Sequence, residues 1–356
     1  MKTNEGLILL YATAVVLAGA VTALATPLVR RLASHVGVLD QTGERRMHAE
    51  PKPRIGGIGV FFGFAFALFA VLGFALLHPA LLYPAFASKI ASIRIDAIHD
   101  QLDASHNLVG LLFGSMLILG VGVWDDIMGM RARNKFFAQI LVALVSMLYG
   151  FIIPGVANPF DHDPATYWIA FPIWVSIPLT LFWYVAMMNA INFIDGLDGL
   201  LSGVAVISCL SIFVISVTHG DPVVALVVAS LAGAALGFLP YNFNPAKIIL
   251  GDGGSLFIGY VFATVSMIGA SKSAIAIGLL VPLVVLALPI LDTFFAIARR
   301  ALSGKSITEA DRGHFHHQLI FRFGMNVRQA VLLIYAVCIA LGFAALVVSG
   351  TIHIKL

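Results

Sequence analysis

Along this chain apolar residues come in long, nearly unbroken runs, and the polar residues gather in short stretches between them. The runs have neither the strict alternation of a half-buried strand nor the narrow stripe of a surface helix. A helix crossing the hydrocarbon core of a bilayer takes about 20 apolar residues. Runs near that length predict ten membrane helices, over residues 7–29, 55–77, 108–123, 136–153, 167–188, 200–218, 223–239, 256–270, 274–298 and 329–348. Pro172 and Pro178 fall inside the fifth, where a membrane helix accommodates them as kinks. The first run ends in Ala23-Leu24-Ala25 and resembles a signal peptide, but it is too long and too many spans follow, so it predicts an uncleaved helix. Residues 78–107 form a longer connection, in which Ser92 to Ile98 alternates like a strand or an interfacial helix. Residues 124–135 are expected as a charged loop, and 154–164 as a turn rich in Pro and Asp.

Composition sharpens this picture. The chain is 60% hydrophobic and 11% charged, with a mean hydropathy of +0.98. Soluble domains carry about 25% charged residues, which excludes that class. The expected fold is therefore an all-α, polytopic integral membrane protein, with residues 1–356 forming one transmembrane domain. Cys209 and Cys338 lie inside apolar runs and suggest neither a disulfide framework nor a zinc site.

The net charge of +3 says little, but its distribution orients the chain. With ten spans, alternate connections share a side. Of the 21 Lys and Arg, only Lys2, Lys89, Arg94, Lys272 and Lys355 fall opposite the basic connections 30–54, 124–135 and 299–328. The positive-inside rule makes the basic side cytoplasmic and both termini periplasmic.

Every stretch with chemistry in it falls on that cytoplasmic side. The central one is Asn189-Ala190-Ile191-Asn192-Phe193-Ile194-Asp195-Gly196-Leu197-Asp198-Gly199. Two carboxylates and two amides beside hydrocarbon are expensive and mark a site more often than a scaffold. If the stretch is helical, Asp195 and Asp198 share one face. Asp125 and Asp126 close the third span, and two adjacent carboxylates need a cation or bases nearby, such as Arg131, Arg133 and Lys135. Gly251-Asp252-Gly253-Gly254-Ser255 opens a membrane helix and offers a carboxylate with backbone N–H groups to an anion or a hydrated metal. Asp311-Arg312-Gly313-His314-Phe315-His316-His317 offers imidazoles beside a guanidinium. Arg45 to Gly57 brings Arg54, Gly56 and Gly57 to the start of the second span. Alone, the 189–199 stretch reads equally as a capped polar loop, while the Asp125-Asp126, Gly251–Ser255 and Arg45–Gly57 stretches read better as a charged loop, a capped turn and a basic anchor.

Together they put oxygen ligands, cations and glycine turns on one face. Oxygen ligands suit Mg²⁺, which takes one or two protein groups plus substrate phosphates and water. Cationic side chains clamp those phosphates. Such a site suits phosphoryl transfer, and its place at the membrane implies a lipid phosphate as one reactant.

These five stretches, in this order, resemble the polyprenyl-phosphate N-acetylhexosamine-1-phosphate transferases (glycosyltransferase family 4). His314-x-His316-His317 and His48-x-x-Pro51-x-Pro53-Arg54-x-Gly56-Gly57 look like the WecA/TagO-type branch, related to phospho-N-acetylmuramoyl-pentapeptide transferase. The resemblance implies attack by undecaprenyl phosphate on the β-phosphorus of a UDP-N-acetylhexosamine, commonly UDP-GlcNAc, releasing UMP. It implies Mg²⁺, for which Mn²⁺ can substitute, held by Asn192 and Asp252. Asp125, with Asp126 beside it, would position or deprotonate the lipid phosphate or form a covalent intermediate. Asp195 and Asp198 would sit near nucleotide or metal, and His316 joins the catalytic set. Lys135, Arg312, His314 and His317 would contact phosphates, and Asn189, Arg54, Gly56 and Gly57 complete the expected substrate-binding residues. The bacterial inner membrane is the implied location, a homodimer is compatible with the family, and no nucleic-acid partner is expected. The rivals are the pentapeptide transferase of peptidoglycan synthesis, a CDP-alcohol phosphatidyltransferase, and a transporter with cytoplasmic acidic gates. Transporters place their sites near the midplane between repeats, and none is visible here.

Overall fold

The computed structural model describes residues 2–40, 51–77, 98–157, 168–270 and 315–352, with positions 287, 291 and 295. The helices among them are α1 (Lys2–Val36), α2 (Gly57–Leu77), α3 (Ile98–Met128), α4 (Ala132–Leu148), α5 (Ile173–Ile194), α6 (Leu200–His219), α7 (Pro222–Asn242), α8 (Gly251–Ala270), α9 (Phe315–Phe321) and α10 (Val327–Val348). Two short antiparallel ribbons join them, β1 (Leu39–Asp40) with β2 (Lys52–Pro53), and β3 (Gly155–Ala157) with β4 (Trp168–Ala170). The all-α expectation therefore holds for the bundle, with two small sheets added. Seven of the described helices are long and apolar enough to cross a membrane, and α2 contributes a shorter apolar stretch, Gly57–Val71. Apart from positions 287, 291 and 295, the expected ninth span, 274–298, lies outside the described residues, as do most of 78–107 and the turn 158–164.

Helix α8 is the hub. Leu256, Phe257, Ile258, Tyr260, Val261 and Phe262 on it are all buried. It packs against α2, α3 and α5, while α1, α7, α6 and α10 build a wall on one flank. Lipid gives apolar helices little reason to associate, so close approach of small residues must supply the contact. At the α1–α7 crossing a Cβ on Gly237 would stand 2.2 Å from the Gly19 carbonyl oxygen, so any larger residue would force the helices apart. Large apolar side chains such as Leu24, Leu148 and Trp174 instead face outward.

Helices α1, α3, α5 and α7 end, and α2, α4, α6, α8 and α10 begin, at the same end of the bundle. Hydrogen bonds across that end fix this. Gly56 N–H donates to Ile249 O at 3.0 Å, Gly57 N–H to Leu250 O at 2.8 Å, and Arg328 Nε–H to Asn244 O at 2.9 Å. The first residue of α1 and the last of α10 thus lie at the opposite end.

Three local expectations change. The stretch 124–135 is not a loop throughout: α3 continues to Met128, Gly129 turns the chain at φ +70°, and α4 starts at Ala132. Asp125 closes that turn by accepting the Met130 N–H at 2.6 Å. The fifth span starts at Ile173 instead of 167, because strand β4 and Pro172 precede it. The stretch 189–199 is helical only to Ile194, so Asp195 and Asp198 do not share a helix face.

Candidate active site

The site is built around the N-terminus of α8. A helix leaves its first N–H groups without partners and carries a partial positive charge there. Asp126, from the last turn of α3, satisfies both needs. Its Oδ1 accepts the Asp252 N–H at 2.9 Å and its Oδ2 the Gly253 N–H at 3.1 Å. The glycines make this possible: a Cβ on Gly122 would come within 2.4 Å of Gly253 Cα, and one on Gly57 within 2.2 Å of Gly254 Cα. Sequence reasoning offers these N–H groups to an incoming anion, but a carboxylate of the protein already takes them. Asp126 is fully enclosed and also holds Arg54 Nε at 2.7 Å. Arg54 is delivered from a clamped segment in which Ile55 sits at φ +75°, a left-handed conformation that strains a β-branched residue.

Asp252 projects from this anchored turn and gathers the remaining groups. Its Oδ1 receives Arg54 Nη2 at 3.1 Å and Asn192 Nδ2 at 3.1 Å. Its Oδ2 receives the Lys135 ammonium in a short contact, and Lys135 Nζ also reaches Asp125 Oδ2 at 3.0 Å. Burial weakens the hold of Lys135 on its proton, but Asp252 and Asp125 outweigh that and raise its pKa. Asn192 donates its amide a second time, to Ser255 Oγ at 2.7 Å, so its carbonyl oxygen has no partner among the described residues. Asp195 lies just past the end of α5. Burial first, and then the charge of Asp252, push its carboxyl up to about 8, against the pull of Arg54.

The other expected residues divide. Asp198, in the turn beyond Asp195, acts as a latch: its Oδ2 accepts Lys52 Nζ at 2.8 Å, Asn244 Nδ2 at 3.0 Å and the Ala246 N–H at 2.9 Å. Gly56 and Gly57 serve packing, since a Cβ on Gly56 would meet the Phe238 ring at 2.5 Å. Asn189 sits one turn from Asn192 on α5 and donates to Gln139 Oε1 at 2.7 Å. Arg312 and His314 lie outside the described residues; for His316 and His317 only the backbone is described, in α9. Sequence reasoning passes over Asp40, which pairs with Arg54 Nη1 at 3.5 Å, and Gln139, and it includes Lys52 and Ser255 in its stretches without giving either a role. Only Gln139 carried a usable signal, as an amide one helical turn after Lys135 in an otherwise apolar run.

Four carboxylates (Asp125, Asp126, Asp195 and Asp252), an amide, a lysine and an arginine from five separate helix ends therefore meet at one end of the bundle. Among the described residues no group of three or more His, Cys, Asp or Glu is arranged as a ready-made metal cage. The arrangement is an acidic centre with built-in cations, able to exchange those cations for charged ligands. Fold and site define a multi-pass membrane protein with a charged centre at one end of its helices. The chain belongs to glycosyl transferase family 4, whose model matches residues 108–270. Over 337 residues it is 33% identical to a probable undecaprenyl-phosphate N-acetylglucosaminyl 1-phosphate transferase of Bacillus subtilis, covering 93% of this chain and 83% of that protein. It is 34% identical to the decaprenyl-phosphate N-acetylglucosaminephosphotransferase of Mycobacterium tuberculosis, covering 89% and 77%. A phospho-N-acetylmuramoyl-pentapeptide-transferase of Staphylococcus aureus is 32% identical over 260 residues, covering 69% of this chain and 77% of that protein.

Proposed function

We propose that this protein transfers a sugar-1-phosphate, N-acetylglucosamine-1-phosphate foremost, from a UDP-N-acetylhexosamine to undecaprenyl phosphate. The products would be undecaprenyl-diphospho-sugar and UMP, at the first membrane step of a cell-surface glycan. The observation that carries the reading is one cluster, Asp125, Asn192 and Asp252 with Lys135 and Arg54, in a chain that matches N-acetylglucosaminyl 1-phosphate transferases along nearly its whole length. The relative that transfers a muramoyl-pentapeptide matches a shorter part of the chain, which favours the simpler sugar. The clustered end would face the cytoplasm, where the nucleotide sugar is found, in a bacterial inner membrane.

The donor chemistry fits Mg²⁺. The groups are oxygens, and this ion needs only one or two protein ligands beside phosphates and water. Asp252 and the carbonyl oxygen of Asn192 would hold it, and the bound ion would neutralise the diphosphate. The chain's own residues do the rest. Undecaprenyl phosphate is already an oxygen nucleophile, so the main barrier is repulsion between two anions. Lys135 and Arg54 sit where they can shift from carboxylates to phosphate oxygens. Asp125, the more accessible of the acid pair, would orient the lipid phosphate and take its proton. An oxygen of that phosphate forms a bond to the β-phosphorus while the bond from the β-phosphorus to the bridging oxygen breaks, and that oxygen leaves with UMP. Asp126 stays out of the chemistry and keeps the α8 terminus in place.

Purified protein given undecaprenyl phosphate, UDP-GlcNAc and Mg²⁺ should release UMP, and EDTA should stop it. Failure of every UDP-sugar tested to yield UMP would overturn the reading.

A further inference from the structure

One turn deeper than the charged cluster, α4 and α5 share a polar contact in the apolar seam between them. Gln139 follows Lys135 by one helical turn on the inward face of α4, and Asn189 precedes Asn192 on α5. The Asn189 amide nitrogen donates twice, to Gln139 Oε1 at 2.7 Å and to the Val185 carbonyl at 2.8 Å. Its carbonyl oxygen has no partner among the described residues, so the half-buried Asn189 presents an acceptor. Gln139 is only 1% exposed, and its Nε2 is buried without a hydrogen bond among the described residues.

An unpaired buried amide donor is unfavourable, and an apolar side chain would avoid it. Keeping Gln there makes sense if its acceptor oxygen is needed. Glutamate would supply that acceptor too, but with a further negative charge beside Asp125, Asp195 and Asp252, where a diphosphate must bind. The amide is the neutral way to hold the Asn189 nitrogen, and the stranded Nε2 comes with it.

We propose that Gln139 is a positioning residue: by holding the Asn189 amide nitrogen it turns Asn189 Oδ1 toward the site as an acceptor for a hydroxyl or N–H of the nucleotide sugar. This rests on the transferase reading above. It assigns Asn189 to the sugar nucleotide, which offers several hydroxyl and N–H donors, whereas the one proton a lipid phosphate can carry goes to Asp125.

The test is Gln139→Met, Asn189→Ala and the double variant, compared with wild type by steady-state UMP release and thermal unfolding in detergent. For Gln139→Met the KM for the UDP-sugar should rise about fivefold to tenfold, the effect of one hydrogen bond. The KM for undecaprenyl phosphate should stay unchanged, and the Tm should stay level or rise because the stranded donor is gone. Added to Asn189→Ala, Gln139→Met should have no further effect on KM, since it acts through Asn189. If Gln139→Met does not fold, Asn189→Ala must show the same KM split by itself. Equal rises in both KM values, no rise, or additive effects in the double variant would overturn the proposal while leaving the transferase reading intact. A wild type that yields no UMP from any UDP-sugar would remove that reading and this proposal with it.

Discussion

Two of the polar regions described within this apolar bundle are built on opposite rules. In the middle of the bundle Tyr184 and Tyr260 stack at 5.4 Å, Tyr260 shares a hydrogen bond with Ser146 at 2.8 Å, Tyr184 with Thr264 at 3.0 Å, and Trp183 Nε1–H donates to Ser266 at 2.8 Å. Each of these contacts is neutral. At the end of the bundle the groups are charged and share partners: Asp252 alone receives Lys135, Arg54 and Asn192. Neutral pairs fix the distance between helices and have no reason to open. Shared ionic contacts leave each group a second partner to fall back on, so one can be given up to a ligand without stranding a charge. The first region is scaffold and the second is a place for exchange.

The comparison breaks most visibly at Asp252. Asp252→Ala removes the group on which two cations converge, and UMP release should fall by at least about 100-fold. If turnover persists within tenfold, Asp252 is not the centre of the site. The acid pair separates next. Asp126→Ala removes one of the three carboxylates around the half-buried Arg54 and uncaps α8, a loss of about 1–3 kcal/mol, so the protein should unfold in detergent at clearly lower temperature. Asp125→Asn should keep the Tm and lose turnover, and a matching stability loss in both variants would erase the distinction. In the scaffold, Tyr260→Phe removes one hydroxyl and should cost about 1 kcal/mol of stability with the KM values unchanged. A further effect concerns pH. The Asp195 carboxyl, raised to about 8, favours the folded state while protonated. That contribution is complete below its ordinary value near 3.8 and is lost as the pH rises through about 8. The Tm should therefore decline between pH 6 and 8, and less so in Asp195→Asn; identical slopes would contradict it.

Much of this is legible in the sequence, and for a physical reason. Charged groups are so unfavourable beside hydrocarbon that Asp125, Asn192 and Asp252 stand out against their runs without any knowledge of the fold. The shared end is legible too, because the described parts of the basic connections 30–54, 124–135 and 299–328 lie at the clustered end. What the sequence conceals is which carboxylate does what. Asp125 and Asp126 are neighbours of the same type, and only the approach of α8 to α3 makes one a helix cap. Asp198 reads as a partner of Asp195 until the turn after Ile194 sends it to Lys52 and Asn244. Gln139 is a single amide in an apolar helix, and its meaning depends on Asn189, fifty positions away. In each case the missing information is a tertiary contact between helix ends.

The central claim, that these helix ends hold one phosphosugar-transfer centre, is tested most directly by following the two phosphorus atoms of the donor. UDP-GlcNAc labelled separately at the α- and β-phosphorus would be incubated with undecaprenyl phosphate and Mg²⁺. The β-label should enter the lipid fraction while the α-label leaves as UMP, with neither transfer in Asp252→Ala. A β-label that stays with the nucleotide, or transfer unaffected in Asp252→Ala, would contradict the account.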